Sequence, residues 1–369
     1  MSIEYLLIDT DNSKNIHKYF NKCEIWNILD LNYKPKKHNM VWFANNFYSP
    51  INNYIEKCLE CEVVINNQNL KNWELNRRVG IERAKVLGVK IPKTVYDIKD
   101  LDFEKGIIKP NLGSGYKSSF IFQNKEELER NFENFEYKDY IIQEYIEGNE
   151  IAFGCFFIDS KPILPVYINR EYKRSISKNI GGNTGQSAEF GLFSYHLPPF
   201  FEKLSYFLIK NNVKYNGLID INFMERDNEL YFLEFTISRD GYPEILAFLS
   251  EKDFIPALLE KRDFKIENKF NYSMIIRVDD IELEEKEIKI AYKEKENIKF
   301  IPEVNKKDDL LIVKENDMDN IGILYKRSNE FEELELIEFS YPVLYYIDYN
   351  EEIKKDWEYI KKYDREWKD

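Results

Sequence analysis

The chain has 369 residues, 43% of them hydrophobic and 15% aromatic, enough for roughly two or three domains with buried cores. Lys+Arg number 53 against Asp+Glu 66, a net charge of -13, which argues against sequence-independent nucleic-acid binding because that needs a basic face. No apolar run of about 18 residues is present, so no membrane-spanning helix is expected; the polar residues after Met1–Ile8 argue against a secretory leader, and a cytoplasmic, reducing setting is the expectation.

Glu4–Asp9, Ile25–Leu31, Met40–Phe43 and Glu62–Ile65 read as short strands, and a polar helix-like segment runs through His17, Tyr19 and Phe20. They predict a small βα domain over residues 1–72. It contains neither GxGxxG nor GxxxxGK[ST], so neither a dinucleotide fingerprint nor a P-loop is supported. The cysteines are Cys23, Cys58, Cys61 and Cys155. Cys58 and Cys61 form a CxxC without a second pair at zinc spacing, and they read as i, i+3 neighbours on a helix.

Trp73–Leu87 has helical spacing of Leu75, Val79, Ala84, Val86 and Leu87, and Gly88 ends it. Gly106–Pro110 is a strand carrying Lys109. The polar loop Asn111–Ser119 follows, with Gly113 and Gly115, and leads into the strand Phe120–Phe122. Such a hairpin can wrap phosphate oxygens with its backbone N–H groups. Lys125–Phe135 is helical, Tyr140–Gln143 is a strand, and Ile151–Ile158 pairs with Ile163–Ile168 as a hairpin. A long polar loop is expected next, carrying Arg170, Lys173, Arg174 and Lys178 and then GGNTGQS. It is a cationic cluster suited to an anionic substrate.

Phe200–Lys210 returns to helix. Gly217–Glu234 (GLIDINFMERDNELYFLE) then reads as a β-hairpin with the polar turn Arg226–Glu229. Asp220 and Glu234 interrupt its apolar runs. A buried acid needs a cation, and two acids on paired strands can hold a hard divalent metal through oxygen; the alternative is that one or both face solvent. Ile245–Leu249 is helical. From residue 263 charged strands dominate (Met274–Val278, Ile288–Tyr292, Leu310–Val313, Ile321–Tyr325). A last helix, Glu351–Trp367, carries an apolar stripe of Ile353, Trp357, Ile360, Tyr363 and Trp367 that should dock on the body.

The order of these pieces resembles the ATP-grasp superfamily, and more narrowly its phosphoribosylamine–glycine ligase branch. The resemblance is carried by Ile107-Ile108-Lys109, Gln143-Glu144-Tyr145-Ile146-Glu147-Gly148-Asn149-Glu150, Ile163-Leu164-Pro165, Lys173-Arg174, Gly182-Asn183-Thr184-Gly185 and Leu233-Glu234-Phe235 with Arg239 and Pro243-Glu244. It covers about residues 73–262. The implied fold is α/β (α+β): an amino-terminal α/β domain (1–72), an ATP-grasp domain (73–262) and a β-rich carboxy-terminal domain ending in a helix (263–369).

The resemblance implies ATP with Mg2+ or Mn2+ as cofactors. Arg83 and Lys109 would reach the phosphates, and Gly113, Ser114, Gly115 and Lys117 would close over them. Gln143, Glu144, Tyr145 and Ile146 would line the adenine slot, Glu150 would bind the ribose, and Asp220, Glu234 and Thr236 would hold the metal. Arg239, Lys173 and Arg174 would grip the substrate carboxylate and the transferred phosphoryl group, with Asn183, Thr184 and Gly185 on the acceptor side. The implied reaction joins a small carboxylic acid, an amino acid expected, to an amine through an acyl phosphate, without nucleic acid or membrane, in a monomer or homodimer. The family usually has Asn where Thr236 stands, and Leu7–Ser13 (LIDTDNS) replaces the branch's glycine-rich phosphate loop, which points to a different amine acceptor. Two further expectations stand beside this one: a non-catalytic nucleotide sensor or scaffold, and a ligase acting on a peptide or macromolecule.

Overall fold

The computed structural model describes residues 5–9, 23–27, 38–43, 61–112, 119–174, 183–237, 243–278, 287–293, 295–302, 304–307, 310–314, 320–344, 346 and 349–366. Four sheets organise them. The first is parallel, ordered Cys23–Asn27, Tyr5–Asp9, His38–Phe43, Cys61–Ile65. The four expected strands therefore form, each within a few residues of its predicted bounds. Cys61 corrects the helical reading of the CxxC. It opens a strand opposite His38, because the apolar run behind it is buried as a sheet, with Val63 and Ile65 at 2% and 0% exposure. Cys58 lies outside the described residues.

The central sheet has eight antiparallel strands. Their order is Glu229–Ile237, Gly217–Arg226, Asn149–Ile158, Lys161–Arg174, Asn183–Ser194, Phe270–Arg277, Asn320–Ser328, Lys299–Pro302. The period-two alternation of its strands sorts their side chains between two faces. Phe153, Ile219, Ile221 and Phe223 enter the core that takes up the helices Pro199–Lys210 and Tyr349–Glu366. Phe153 meets Phe200 and Tyr363 edge to face at 5.5 and 5.4 Å, a favoured aromatic geometry. On the other face, Phe156, Tyr167 and Leu218 pack with Met40 and Trp42 of the first sheet and with the helix Pro243–Leu249.

Where its residues are described, the expected long basic loop after Ile168 is ladder instead; residues 175–182 lie outside the described residues. Lys161–Arg174 and Asn183–Ser194 run on as strands, with Arg174 opposite Asn183. Arg170 and Lys173 are tolerated there because each finds an acid on its own face. Arg170 reaches Asp356 of the last helix at 3.4 Å, while Lys173, on the opposite face, pairs with Glu150 and Glu171. Alternation thus divides the cationic cluster between the two sides of the sheet.

The carboxy-terminal strands Phe270–Arg277, Asn320–Ser328 and Lys299–Pro302 extend this same sheet, so the boundary expected at residue 263 does not divide two independent sheets. A separate four-stranded sheet is ordered Asn305–Lys307, Leu310–Lys314, Glu287–Lys293, Glu338–Phe339. The last helix docks as its stripe demanded, with Ile353, Ile360 and Tyr363 buried; Trp367 lies outside the described residues. The remaining sheet is small, ordered Thr94–Val95, Tyr140–Glu144, Gly106–Pro110, Phe120–Phe122, with the helix Lys125–Phe132 packed on it. The expected helix over Trp73–Leu87 is two, Lys71–Leu75 and Arg77–Leu87. Between them Asn76 is extended and caps the second by accepting from the Val79 N–H at 3.1 Å.

Candidate active site

The hairpin of Gly217–Arg226 and Glu229–Ile237 turns on Asp227 and Asn228, with φ of 55° and 61°. Two successive left-handed residues are what a tight hairpin with right-handed strand twist requires, and Asp and Asn tolerate them best. The turn fixes the register: Asp220 lies opposite Thr236, and Asn222 opposite Glu234. Residues two apart share a face, so these four oxygen-bearing side chains stand on one patch of the central sheet.

Asp220 is 1% exposed, whereas the Glu234 side chain is 40% exposed. The amide of Asn222 sits between them. Its Nδ2 donates to Asp220 Oδ2 at 3.0 Å and to Thr236 Oγ1 at 3.2 Å. Its Oδ1 is buried and accepts no hydrogen bond from the described residues. The expected pair of facing acids is therefore a quartet. Asp220 does not stand directly across from Glu234; Asn222 does.

The small sheet brings its cation to this patch. Lys109 donates to Gln143 Oε1 at 3.1 Å, and Gln143 donates onward to Thr94 Oγ1 at 3.1 Å. Burial and the neighbouring Arg77 depress the Lys109 pKa to about 8, while Glu234 and Glu150 pull in the opposite sense. Arg77 stands 3.9 Å from Glu234. Two cations that repel one another in a half-buried site invite a polyanion, which would relieve both. A shallow cleft opens here, lined by Arg77, Ile81, Ile141, Gln143, Leu233 and Glu234.

Lys173 and Glu150 are brought together as an ion pair that also touches Glu171. Burial opposes the charge on Lys173, but Glu150 and Glu171 outweigh it and raise its pKa. Glu144 meets Arg226 at 3.6 Å, which ties the end of the small-sheet strand Tyr140–Glu144 to the hairpin, and Tyr145 lies under Lys105, just before the strand Gly106–Pro110. The Glu144 N–H donates to the Lys93 carbonyl at 2.8 Å, and Ile146 is buried. Arg83 lies apart from the cluster, its guanidinium over the rings of Phe207 and Trp73 at 5.3 and 5.9 Å.

Asn183, Thr184 and Gly185 begin the strand Asn183–Ser194, and Arg174 ends Lys161–Arg174. Gly113, Ser114, Gly115, Lys117 and Arg239 lie outside the described residues. Arg77, Asn222 and Glu171 were not foreseen. Arg77 was legible as the first residue after a capping Asn; Asn222 was legible only through the register.

Residues 76–236 match the family model of the ATP-grasp domain. No curated protein sequence matches the chain. Among solved structures, the chain is similar to phosphoribosylamine–glycine ligase from Thermotoga maritima (15% identity over 94% of this chain and 100% of that one, TM-score 0.67). It is also similar to a biotin carboxylase from Campylobacter jejuni (13% identity, 98% and 97% covered, TM-score 0.61). A third likeness is to N5-carboxyaminoimidazole ribonucleotide synthetase from Thermus thermophilus (11% identity, 89% and 88% covered, TM-score 0.56). At such identities the likeness is one of fold.

Proposed function

We propose that the protein, whose residues 76–236 match the ATP-grasp domain, is an ATP-dependent ligase joining a small carboxylic acid to an amine. One observation carries the reading. The small sheet holds Lys109, with Arg77 beside it, against a patch of the central sheet that presents Asp220, Asn222, Glu234 and Thr236.

Among the described residues no group of three or more His, Cys, Asp or Glu is arranged to hold a metal. The donors of this patch are mixed: two carboxylates, an amide oxygen and a hydroxyl. All are hard oxygen ligands of the kind that Mg2+ and Mn2+ take, and the buried Asn222 Oδ1 has no other donor among the described residues. The residues therefore fit a divalent ion held by Asp220, Asn222, Glu234 and Thr236. When bound, the ion neutralises phosphate oxygens and the charge that spreads over them during transfer.

The chain's own residues do the rest. Lys109 and Arg77 bind the phosphates of ATP, and the Lys109 proton, loosely held without them, is fixed by their charge. Ile141 and Leu233 provide an apolar slot for the base, and the Glu144–Ile146 segment provides its polar edge. Lys173, kept charged by Glu150 and Glu171, faces the region where the acid is activated. The acid's carboxylate oxygen attacks the γ-phosphorus, the bond to the β-phosphate oxygen breaks, and ADP leaves. The amine then attacks the acyl carbon, phosphate departs, and the amine proton passes to solvent or a neighbouring base. Arg239, Arg174, Asn183, Thr184 and Gly185 complete the acid and acceptor sides in this reading, and Gly113–Lys117 covers the phosphates.

The test is ADP release from purified protein with Mg-ATP and a matrix of carboxylic acids and amines. Release that requires both an acid and an amine, and is lost in Glu234→Gln with the fold retained, supports the reading. Tight Mg-nucleotide binding with no turnover across the matrix overturns it.

A further inference from the structure

The central sheet carries a second polar feature, two strands away from the quartet. The register aligns one transverse row across it. Glu234 is opposite Asn222, Asn222 opposite Ala152, Ala152 opposite Asn169, Asn169 opposite Gly191 and Gly191 opposite Asn271. Asn169 shares its face with Tyr167 on one side and Glu171 on the other, the face of the quartet. It is 0% exposed, and neither its Nδ2 nor its Oδ1 has a hydrogen-bond partner among the described residues. Native interiors rarely leave both ends of a buried amide unused, and such a group calls for an occupant.

The surroundings limit where that occupant lies. Toward Gly191 the space is filled, since a Cβ there would stand 2.4 Å from the Tyr167 ring. The Tyr167 hydroxyl is committed to Glu189 at 2.5 Å and accepts from Asn271 at 2.8 Å. Along the next row the carboxylate of Glu244 covers Gly154. Toward the quartet, the described residue between Asn169 and Asn222 along this row is Ala152, whose side chain is a methyl. Adjacent strands are about 4.8 Å apart, so Asn222 and Asn169 are separated by about 10 Å with one small residue between them. That span suits a transferring phosphoryl group, the carboxylate that receives it and the carbon beyond.

Resting on the ligase reading above, we propose that Asn169 is a specificity-determining residue for the acid substrate. It reads a hydrogen-bonding substituent on the carbon next to the carboxylate, so that the site takes 2-amino acids over their deaminated counterparts. The Oδ1 accepts from the ammonium and the Nδ2 donates to the carboxylate oxygen not being phosphorylated. The acids on this face, Glu150, Glu171 and Glu244, offset the ammonium charge, and Lys173 offsets the carboxylate.

The test measures binding, so it does not depend on turnover. Wild-type protein and Asn169→Leu are saturated with a non-hydrolysable ATP analogue and MgCl2. Each is then titrated with the proteinogenic amino acids and with the matching acids lacking the 2-amino group, followed by thermal shift. The expected result is that wild type binds at least one amino acid about 10- to 100-fold more tightly than its deaminated partner, the loss expected of one or two hydrogen bonds to charged groups. Asn169→Leu keeps the nucleotide-induced shift and loses that preference.

Should Asn169→Leu fail to fold, Asn169→Asp, which keeps the size and loses the donor, serves in its place and should weaken amino-acid binding about tenfold. The proposal is overturned if the variant retains the preference, as it would were Asn169 satisfied by a trapped water only, or if wild type bound with nucleotide shows no preference. Absence of any nucleotide-induced shift in the wild type would sink the underlying ligase reading as well.

Discussion

Replacing Lys109 by Met separates the cost of holding the site's charge from its use. Met keeps much of the stem and removes the ammonium. In the native protein the Lys109 pKa falls from 10.5 to about 8, chiefly through burial and then through Arg77. Keeping that lysine charged at neutral pH therefore disfavours the fold by about 3 kcal/mol, at about 1.4 kcal/mol per pKa unit. The variant loses the hydrogen bond to Gln143, worth about 1 kcal/mol. The nucleotide-free variant should be about 2 kcal/mol more stable than the native protein at pH 7, a rise in Tm of about 3 °C.

The pH dependence fixes the cause. Below about pH 8 the folded and unfolded chains both hold the proton and the penalty is fully present. Between about pH 8 and 10.5 the folded chain releases a proton that the unfolded chain keeps. Native stability then gains relative to the variant, and the gap narrows. Paired thermal melts from pH 7 to pH 10 measure it, and the same samples with Mg-nucleotide should show a stabilising shift for native protein and little or none for Lys109→Met. A variant that is less stable at pH 7, or a gap that does not change with pH, would refute the argument that a strained cation waits for a polyanion.

Other outcomes follow from the same geometry. Glu234→Gln should reduce the effect of Mg2+ on nucleotide affinity at least tenfold with little change in Tm, since its side chain is 40% exposed; calorimetry with and without the metal checks this. Lys173→Met should destabilise the protein by about 3–5 kcal/mol in urea melts, because it leaves Glu150 and Glu171 without their buried cation. Arg327→Met should cost a similar amount, about 3–5 kcal/mol, while leaving nucleotide affinity unchanged. Arg327 pairs with Glu251 at 2.6 Å, at 7% and 1% side-chain exposure, and donates to the Ala247 carbonyl, tying a carboxy-terminal strand to the helix Pro243–Leu249.

How much of this the sequence revealed depended on whether a signal was local. The hairpin over Gly217–Ile237 was legible because its alternation and its turn residues agree. Lys109 was legible because it interrupts an apolar strand run beside a glycine-bearing loop. Arg170 and Lys173 read as one basic loop because four cations in nine residues look solvated. Their true setting depends on Asp356 and Glu150, which are remote in sequence, and on which face of the ladder each cation shares with an acid such as Glu171. Charge in a strand becomes intelligible only once its partner is known, and partners across a sheet are set by register, which no local pattern records.

The same reasoning explains why the quartet escaped the sequence while its two acids did not. Asp220 and Glu234 stand out as charges in apolar company, whereas an Asn in a strand draws no notice. Yet the register places Asn222, and not Asp220, across from Glu234, with Asp220 two pairs further along against Thr236. A single-residue slip would send all four side chains to the apolar face that Ile219, Ile221 and Phe223 occupy. Burial of those three residues therefore positions the donors, and the chemistry of the patch is fixed by the hydrophobic pattern of the opposite face. Weakening that pattern, for instance by Ile221→Thr, should lower metal-dependent nucleotide affinity along with stability, even though Ile221 touches neither ligand; parallel calorimetry and urea melts would show whether the two fall together or only stability does, and the second result would mean the register is held by something else.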